Sequence, residues 1–400
     1  MKNLATLAIT LASLLLITST TVLYSEGWRI GVESNEQGQN QTVISKTGML
    51  AVRSIPDGAK VYLDSKLITA TDDTITSLTP KDYTLRIEHE GFEPWEKTMT
   101  VYPELVTDIT AVLVMQSPRL EPLTNTDVKA FALSSNQNNI AFLTKNHKEP
   151  GVWILPLSGS PLNIFKNGTK LLIADNEFGT PSMGEKIWWS PNDKEILVQM
   201  NKSGYLLYEL SNQNSTNLIP ISITNVQSVF DRWQSEWKIN FLQSKIDSLS
   251  KDQNIPSWLV ETAVNNDSTW SPDDSKFFVT QPNKDDPTKL DVIVYNSETP
   301  LPVAEKRIYN PLTISDPANT IIQWYSDSYH LIVLEKSSDE SSPRSYTLSI
   351  IRIDGSNRTT IYTADLASNQ AYPTPSGDKI IVLTSLKENS QTNLYAISLR

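Results

Sequence analysis

"WSPNDKEILV" spans Trp189–Val198, and "WSPDDSKFFV" spans Trp270–Val279. Each phrase contains a tryptophan, Ser-Pro, an acid or amide, and then an apolar run. Proline and Asp or Asn favour tight turns, whereas a short apolar run next to turn residues is typical of a buried strand. The phrase therefore predicts a structural hairpin joint and not a catalytic motif. The residues assigned to this joint are Trp189, Ser190, Pro191, Trp270, Ser271, Pro272 and Asp273.

Related phrases open at Leu133, Trp324 and Pro373, so the pattern occurs five times. A second strand-like run follows each opening: Gly151–Leu157, Gly204–Leu210, Leu290–Asn296, Tyr346–Ile353 and Asn393–Leu399. Units made only of strands and repeated roughly every 50 residues indicate a β-propeller, in which tryptophan fills the wedge between neighbouring blades. Five blades are visible, and a degenerate sixth remains open at Leu162–Asp175 or Glu305–Thr313.

The longer gap between the second and third openings has a helical pattern. Large apolar residues recur there every three or four positions: Val226, Phe230, Trp233, Trp237 and Phe241. This period predicts an amphipathic helix within an insertion over about residues 225–264. Phe230, Trp233 and Trp237 then form either a partner-binding surface or a face packed against the propeller. Packing is favoured, because an exposed aromatic stripe promotes aggregation.

The last copy provides one strand too few for a four-stranded blade. Arg119–Asn125, which precedes the first copy, is expected to supply the missing strand. This exchange would join the first and last blades and leave no open sheet edge.

Ahead of the propeller lies a shorter segment of strand patterns. Gly48–Ile68 alternates apolar and polar residues on both sides of the turn Pro56-Asp57-Gly58-Ala59. In this turn proline fixes φ and glycine permits positive φ. Tyr83–Val101 repeats the strand–turn–strand pattern, and Thr107–Val114 supplies a last strand. Short strands alone predict a small β-sandwich.

These motifs resemble a PEGA domain, named for its Pro-Glu-Gly-Ala turn, over residues 48–116. Two departures are visible: the second turn position is Asp57, and the usual Pro-Gly before the second hairpin is Pro80-Lys81. The Trp-Ser-Pro-Asp repeats resemble the WD40-like propellers of the periplasmic TolB type over residues 117–400. Together the resemblances imply a bacterial envelope protein with an extracytoplasmic sandwich and no catalytic residues to carry over.

The N-terminus predicts export. Lys2 precedes an uncharged stretch, Asn3–Ser25, that is long enough to cross a bilayer as a helix. We expect residues 1–26 to be a single-pass anchor in the cell membrane, with everything after Gly27 outside the cytoplasm. The alternative is a cleaved signal peptide with small residues for cleavage at Thr18–Thr21. Residues 27–47 are expected to be a linker, with order beginning at Gly48.

Composition argues against several classes of function. The net charge of −11 disfavours nucleic-acid binding, and the absence of cysteine removes disulfides, thiolate metal sites and cysteine nucleophiles. The three histidines, His89, His147 and His330, lie in different units, and His330 is expected to be a solvated turn residue. The acid pairs Asp273-Asp274 and Asp285-Asp286 lack the spacing of a calcium loop. No catalytic, cofactor-binding or metal-binding residue, and no cofactor, is therefore predicted.

The sequence thus predicts an all-β protein that is not an enzyme. Its propeller would serve as a binding or scaffolding platform for a cell-wall polymer or an envelope protein. The alternative is a secreted carbohydrate-active enzyme with acids at the propeller mouth, which requires carboxylates from different blades about 5 to 10 Å apart. A purely structural spacer is the third possibility, and it would lack a concave patch of convergent polar groups.

Overall fold

The computed structural model describes residues 2–34, 40–157, 168–200, 204–210, 216–242, 245, 249, 255–264, 268–337, 345–385 and 391–400. The chain divides into two compact units. The first comprises Met1–Leu113 with Thr299–Lys306, and the second comprises Val114–Glu298 with Arg307–Arg400. Strands dominate both units.

The first unit begins with helix α1 (Lys2–Ser25), followed by an antiparallel pair, β1 (Trp28–Ser34) and β2 (Asn40–Lys46). The expected linker over residues 27–47 therefore contains strands, and regular structure starts before Gly48. Trp28, Ile30 and Val32 alternate with other residues at the period of a strand, which explains the difference. Among the residues that the structure describes, no helix is both long enough and apolar enough to cross a bilayer.

The remaining strands of the first unit form the predicted β-sandwich. They are β3 (Gly48–Ile55), β4 (Lys60–Leu63), β5 (Lys66–Ala70), β6 (Asp73–Leu78), β7 (Asp82–Glu88), β8 (Trp95–Thr100) and β9 (Val106–Val112). One sheet has the order β6-β3-β9, with β3 and β9 parallel, and the other has the order β5-β4-β7-β8. Alternate residues of β7 are buried, so Leu85 and Ile87 meet Leu50 and Val52 in the core.

Thr71 makes two hydrogen bonds to the Pro56–Ala59 turn. The Gly58 N–H donates to the Thr71 carbonyl oxygen (3.0 Å), and the buried Ala59 N–H donates to Thr71 Oγ1 (2.9 Å). Gly58 has a φ of +76°, which glycine adopts without strain. The Asp57 side chain is exposed, so the turn does not depend on the length of this acid.

In the described residues, the second unit contains five four-stranded antiparallel sheets, which are the blades of a propeller. Blade 1 contains β11 (Val128–Leu133), β12 (Asn139–Thr144), β13 (Gly151–Pro156) and β14 (Lys170–Ala174). Blade 2 contains β15 (Lys186–Trp189), β16 (Glu195–Gln199), β17 (Tyr205–Glu209) and β18 (Ile221–Ile223). Blade 3 contains β19 (Ser268–Trp270), β20 (Lys276–Pro282), β21 (Leu290–Asn296) and β22 (Ile308–Ile314). Blade 4 contains β23 (Thr320–Trp324), β24 (His330–Lys336), β25 (Ser345–Arg352) and β26 (Thr359–Asp365).

Blade 5 combines both ends of the second unit. Its strands are β27 (Ala371–Pro373), β28 (Lys379–Thr384), β29 (Asn393–Ser398) and β10 (Leu120–Pro122). β10 lies antiparallel to β29, with Leu120 opposite Ile397. The segment Arg119–Asn125 therefore supplies the fourth strand, and the ring closes.

The two segments considered for a sixth blade contain fourth strands instead. β14 lies in the first of them and completes blade 1, whereas β22 overlaps the second and completes blade 3. Residues 162–167 of the first segment lie outside the described residues. The described part of the chain thus contains five blades.

The predicted insertion packs on both blades that flank it. It contains α2 (Val226–Trp237), a π-helical turn (Lys238–Leu242) and α3 (Ser257–Val264). On one side Val229 and Trp233 of α2 join Leu197 and Leu207 of blade 2 in an apolar cluster. On the other side residues of and around α3 pack on blade 3: Leu249, Leu259 and Ala263 against Phe277, Val279, Ile293 and Tyr295.

Candidate binding site

The repeated phrase forms a hairpin held by its own side chains. In blade 2, Ser190 Oγ donates to Asn192 Oδ1 (2.8 Å) and accepts from the Glu195 N–H (2.9 Å). Asn192 Oδ1 also accepts from the Lys194 N–H (3.0 Å). Serine and an acid or amide two residues later thus satisfy the backbone groups of the turn. Ser271 and Asp273 make the same bonds in blade 3.

The fourth residue after each opening has a left-handed backbone conformation. These residues are Gln137, Asp193, Asp274, Ser328 and Gly377, with φ between +57° and +66°. In blade 2 this geometry turns the Asp193 carboxylate towards blade 1, where it accepts from the N–H groups of Ser135 (2.7 Å) and Asn136 (3.0 Å). The hairpins therefore also join neighbouring blades.

Two of the opening tryptophans link their blade to the preceding one. Trp189 Nε1 donates to the Ala132 carbonyl oxygen (3.2 Å), and Trp324 Nε1 donates to the Thr269 carbonyl oxygen (2.8 Å). Trp270, which follows the insertion, differs. Its Nε1 is buried, and no described group accepts a hydrogen bond from it. Its ring instead lies edge-on to Phe241 of the insertion, with the centroids 5.7 Å apart.

The sixth residue after an opening is buried and charged or titratable in four blades. Glu195, Lys276, His330 and Lys379 all occupy this place. Glu195 accepts hydrogen bonds from Trp233 Nε1 (2.5 Å) and Arg232 (3.0 Å) of α2. The two lysines pair with glutamates, as described below.

The expectation that His330 is a solvated turn residue is wrong, because only 2% of it is exposed. It begins β24 rather than lying in the turn, and its Nδ1 is 2.6 Å from Asp327 Oδ2. Burial raises the pKa of Asp327, but attraction to His330 and the hydrogen bonds that the carboxylate accepts outweigh burial, so the pKa lies below its ordinary value.

A cavity of about 870 Å³ lies where the hairpin turns of all five blades meet the insertion. Turn residues that line it are Ser135, Asn136, Gln137, Asn138, Pro191, Asn192, Ser271, Pro272, Asp274, Ser326 and Pro375. Its aromatic residues are Trp189, Trp233, Trp237, Phe241 and Trp270. A concave site with apolar walls and a few convergent polar groups is the usual form of a ligand-binding pocket.

The aromatic residues of α2, Phe230, Trp233 and Trp237, lie in two different environments. Phe230 packs edge-on against Trp188 of blade 2 (centroids 5.8 Å apart), and the buried Trp233 is anchored by Glu195. Trp237 is half-buried, lines the cavity and stacks on Phe241, with centroids 5.4 Å apart and ring planes 21° apart. Packing against the propeller therefore accounts for Phe230 and most of Trp233, whereas Trp237 is available to a ligand.

Trp189 and Trp270 are predicted from the sequence only as residues of the blade joints, and their place in the cavity is not predicted. The repeat itself carried the relevant signal. Equivalent turns of every blade must lie at the same end of the ring, so tryptophans that open two different copies face one shared mouth.

Two carboxylates line the cavity. Glu236 of α2 accepts from Asn192 Nδ2 (3.2 Å) and Arg232 (3.3 Å). Burial raises the pKa of Asp274 above its ordinary value; Lys245 opposes this shift, and repulsion from Asp273 adds to it. Within the described residues, no cluster of three His, Asp or Glu side chains is arranged to hold a metal ion.

The comparisons with known proteins concern different parts of the chain. Residues 47–117 match the family described as "PEGA domain". No curated protein matches the sequence significantly.

Similar solved structures are propellers with low identity. TolB from Acinetobacter baumannii is 12% identical with a TM-score of 0.27, and the match covers 79% of this chain and 60% of that one. The WD40 repeats of RRP9 are 8% identical with a TM-score of 0.32, and the match covers 71% of this chain and 99% of that one. The propeller assignment rests on the five blades and their closure. The sandwich and its Pro56–Ala59 turn agree with the family match, and residues 47–117 of this protein therefore form a PEGA domain.

Proposed function

We propose that this protein is an envelope-associated binding protein whose ligand occupies the cavity at the propeller face. The observation that carries the proposal is the convergence there of aromatic rings with amide, hydroxyl and carboxylate groups from blades 1 to 4 and the insertion. Aromatic faces stack on apolar surfaces such as those of sugar rings, while the polar groups bond to hydroxyls. We favour a cell-wall polymer as the ligand.

The proposed location is the cell membrane, with the sandwich and the propeller outside the cytoplasm. The PEGA match and the sequence resemblance to periplasmic TolB-type propellers support an envelope location. Anchoring by residues 1–26 rests on the sequence of Asn3–Ser25 alone. Cell fractionation and N-terminal sequencing of the mature protein test it. A free N-terminus beyond Thr21 on a secreted protein would contradict the anchor.

The binding test uses Trp237, because this ring reaches the cavity and is only half-buried. Purified full-length protein should sediment saturably with purified cell-wall material, and Trp237→Ala should weaken binding about tenfold, as expected for loss of an aromatic anchor. Trp258→Ala is the matched control, because Trp258 lies in the same insertion, is 43% exposed and is not among the cavity residues. Equal losses in both variants would contradict binding in the cavity. If the wild type does not sediment at all, the wall polymer is wrong, and chemical cross-linking in the membrane should identify a protein partner.

One observation favours the alternative of a carbohydrate-active enzyme. The cavity contains Asp274, whose raised pKa suits a proton donor, and Glu236 as a second carboxylate. An enzyme would release soluble sugars from the wall material, and Asp274→Asn and Glu236→Gln would each abolish the release. Wall binding without any release of sugar would exclude this alternative and leave the binding protein.

A further inference from the structure

Blade 3 places a buried lysine opposite a buried asparagine. Lys276 of β20 and Asn296 of β21 are direct partners in the antiparallel register, and both are 0% exposed. Directly opposed residues project from the same face of a sheet, with their Cβ atoms about 5 Å apart. The side chains of Lys276 and Asn296 thus start from neighbouring positions on one face of the blade, and both are buried.

A single carboxylate connects the two groups. Glu298 Oε1 is 2.7 Å from Lys276 Nζ, and Glu298 Oε2 is 3.5 Å from Asn296 Nδ2. The Tyr329 hydroxyl donates to both carboxylate oxygens, at 2.9 and 2.7 Å, which fixes the orientation of Glu298. The ring of Tyr329 also covers the amine, with its centroid 4.0 Å from Lys276 Nζ. The carboxylate therefore contacts the nitrogen that could attack and the nitrogen that could leave.

We propose that Lys276 and Asn296 become joined by an intramolecular isopeptide bond, with Glu298 as the catalytic proton carrier. The Lys276 ammonium gives a proton to Glu298, and the neutral amine attacks Cγ of Asn296. The new C–N bond forms, the Cγ–Nδ2 bond breaks, and Nδ2 takes up the two protons lost from Nζ, the first of them by way of Glu298. The products are a secondary amide and one ammonium ion, so the step needs no oxidant, reductant or other reactant.

The surroundings favour this step in two ways. The reacting groups are held by neighbouring strands, so the reaction has the rate advantage of an intramolecular process. Proton transfer from Lys276 to Glu298 also neutralises a fully buried ammonium and a carboxylate that is 22% exposed, which lowers the cost of burying the ammonium. The amide that results carries no charge in the interior.

Blade 5 contains the same ion pair without the carboxamide. Lys379 Nζ lies 2.6 Å from Glu121 Oε2, but the residue opposite Lys379 in the register is Ser398. Ser398 Oγ donates to Glu121 Oε1 (3.3 Å), much as Asn296 contacts Glu298. A serine cannot form an amide with lysine. Blade 5 is therefore an internal control that has the buried lysine and the glutamate but cannot form the cross-link.

The test is mass spectrometry of proteolytic peptides from the purified full-length protein. We expect the peptide that carries Lys276 to be linked to the peptide that carries Asn296, with a combined mass lower by one ammonia. Lys379 should be unmodified in the same digest. Asn296→Ser, which reproduces the arrangement of blade 5, and Glu298→Gln, which cannot carry the proton, should both yield separate peptides.

Separate and unmodified Lys276 and Asn296 peptides from the wild-type protein would overturn the proposal, whether or not the variants fold. Loss of ammonia from the Asn296 peptide alone would overturn it as well, because it would indicate cyclisation of the asparagine without Lys276. A linked peptide that persists in Glu298→Gln would keep the bond but remove the assigned role of Glu298.

Discussion

At the scale of single residues, four blades bury a titratable side chain at the start of their second strand, and each of these side chains has a partner. Glu195 is held by the insertion, Lys276 by Glu298, His330 by Asp327 and Lys379 by Glu121. Removing the partner takes the main charged or hydrogen-bonded contact away from a buried titratable group, which costs far more than a surface substitution. These positions should therefore be among those of the propeller most sensitive to substitution.

Replacing Glu195 by alanine should destabilise the propeller. The change leaves Trp233 Nε1 buried without an acceptor and removes a bond to Arg232, at a cost of about 1 to 3 kcal/mol. The free energy of unfolding in urea measures this. Glu209→Ala is the matched control, because Glu209 lies opposite Glu195 on β17 and is exposed. Similar losses in both variants would contradict the anchoring role of Glu195.

The lowered pKa of Asp327 predicts that the folded propeller loses stability in acid. Its pKa is lower in the folded protein than its ordinary value of 3.8, so the stabilisation is complete above that value and disappears as the pH falls through the folded pKa. Asp327→Asn should be less stable than the wild type at neutral pH. The difference between their free energies of unfolding should shrink as the pH falls from about 5 to about 2. Unfolding by urea at several pH values measures this difference. A difference that stays constant over this range would contradict the assignment.

At the scale of the hairpin element, the left-handed residue determines which substitutions a blade tolerates. A Cβ at Gly377 would lie 2.4 Å from Ser326 Oγ and 2.6 Å from Tyr325 Oη of the neighbouring blade. Gly377→Ala should therefore cost about 2 to 3 kcal/mol. Gln137 has a φ of +59°, which is strained for a residue with a Cβ. Gln137→Gly should therefore raise the free energy of unfolding by about 0.5 kcal/mol.

The melting temperature and the urea midpoint should fall in Gly377→Ala and rise in Gln137→Gly. A third variant, Asp193→Gly, separates backbone strain from side-chain contacts. It relieves the same strain as Gln137→Gly, but it also loses the hydrogen bonds from the Ser135 and Asn136 N–H groups to the Asp193 carboxylate. We expect Asp193→Gly to be less stable than Gln137→Gly. The reverse order would show that the hairpin of blade 2 does not join blade 1 through this carboxylate.

The sequence predicts an element well when the interactions that form it lie between residues close together in the chain. The hairpin bonds of Ser190, Asn192 and Glu195 fall within six residues, and the helix of the insertion follows from its own period. It fails where burial depends on distant neighbours. His330 follows polar turn residues, and only the position of β24 between its neighbours buries it. The cavity is equally non-local, because Trp189 and Trp270 open different copies and meet only when the ring has closed.

At the scale of the whole propeller, closure depends on β10 and on the ion pair that ties it to blade 5. Glu121 of β10 pairs with the buried Lys379 and accepts a bond from Ser398. Glu121→Ala should therefore destabilise the propeller by about 3 kcal/mol, because the buried Lys379 would lose its ion-pair partner. Lys379→Met in the same chain should restore most of the loss, since it removes the buried charge that Glu121 had neutralised.

Urea unfolding of the single and double variants measures this coupling. If Lys379→Met does not rescue Glu121→Ala, the loss has another cause, such as a change in the backbone pairing of β10 with β29. That pairing would then be tested separately with Glu121→Pro, which introduces a residue without a backbone N–H into β10.

The composition of blade 5 also determines when the protein can finish folding. Glu121 and Ser398 contact each other across 277 positions of sequence. During synthesis, blades 1 to 4 emerge in order, but β29, the strand that lies beside β10, emerges after all of them. Until then the propeller is not closed, and β10 has no neighbouring strand. Unpaired strands of this kind tend to pair with strands of other chains and cause aggregation. The fold consequently requires that β10 be kept from pairing with other chains until Ser398 has been synthesised.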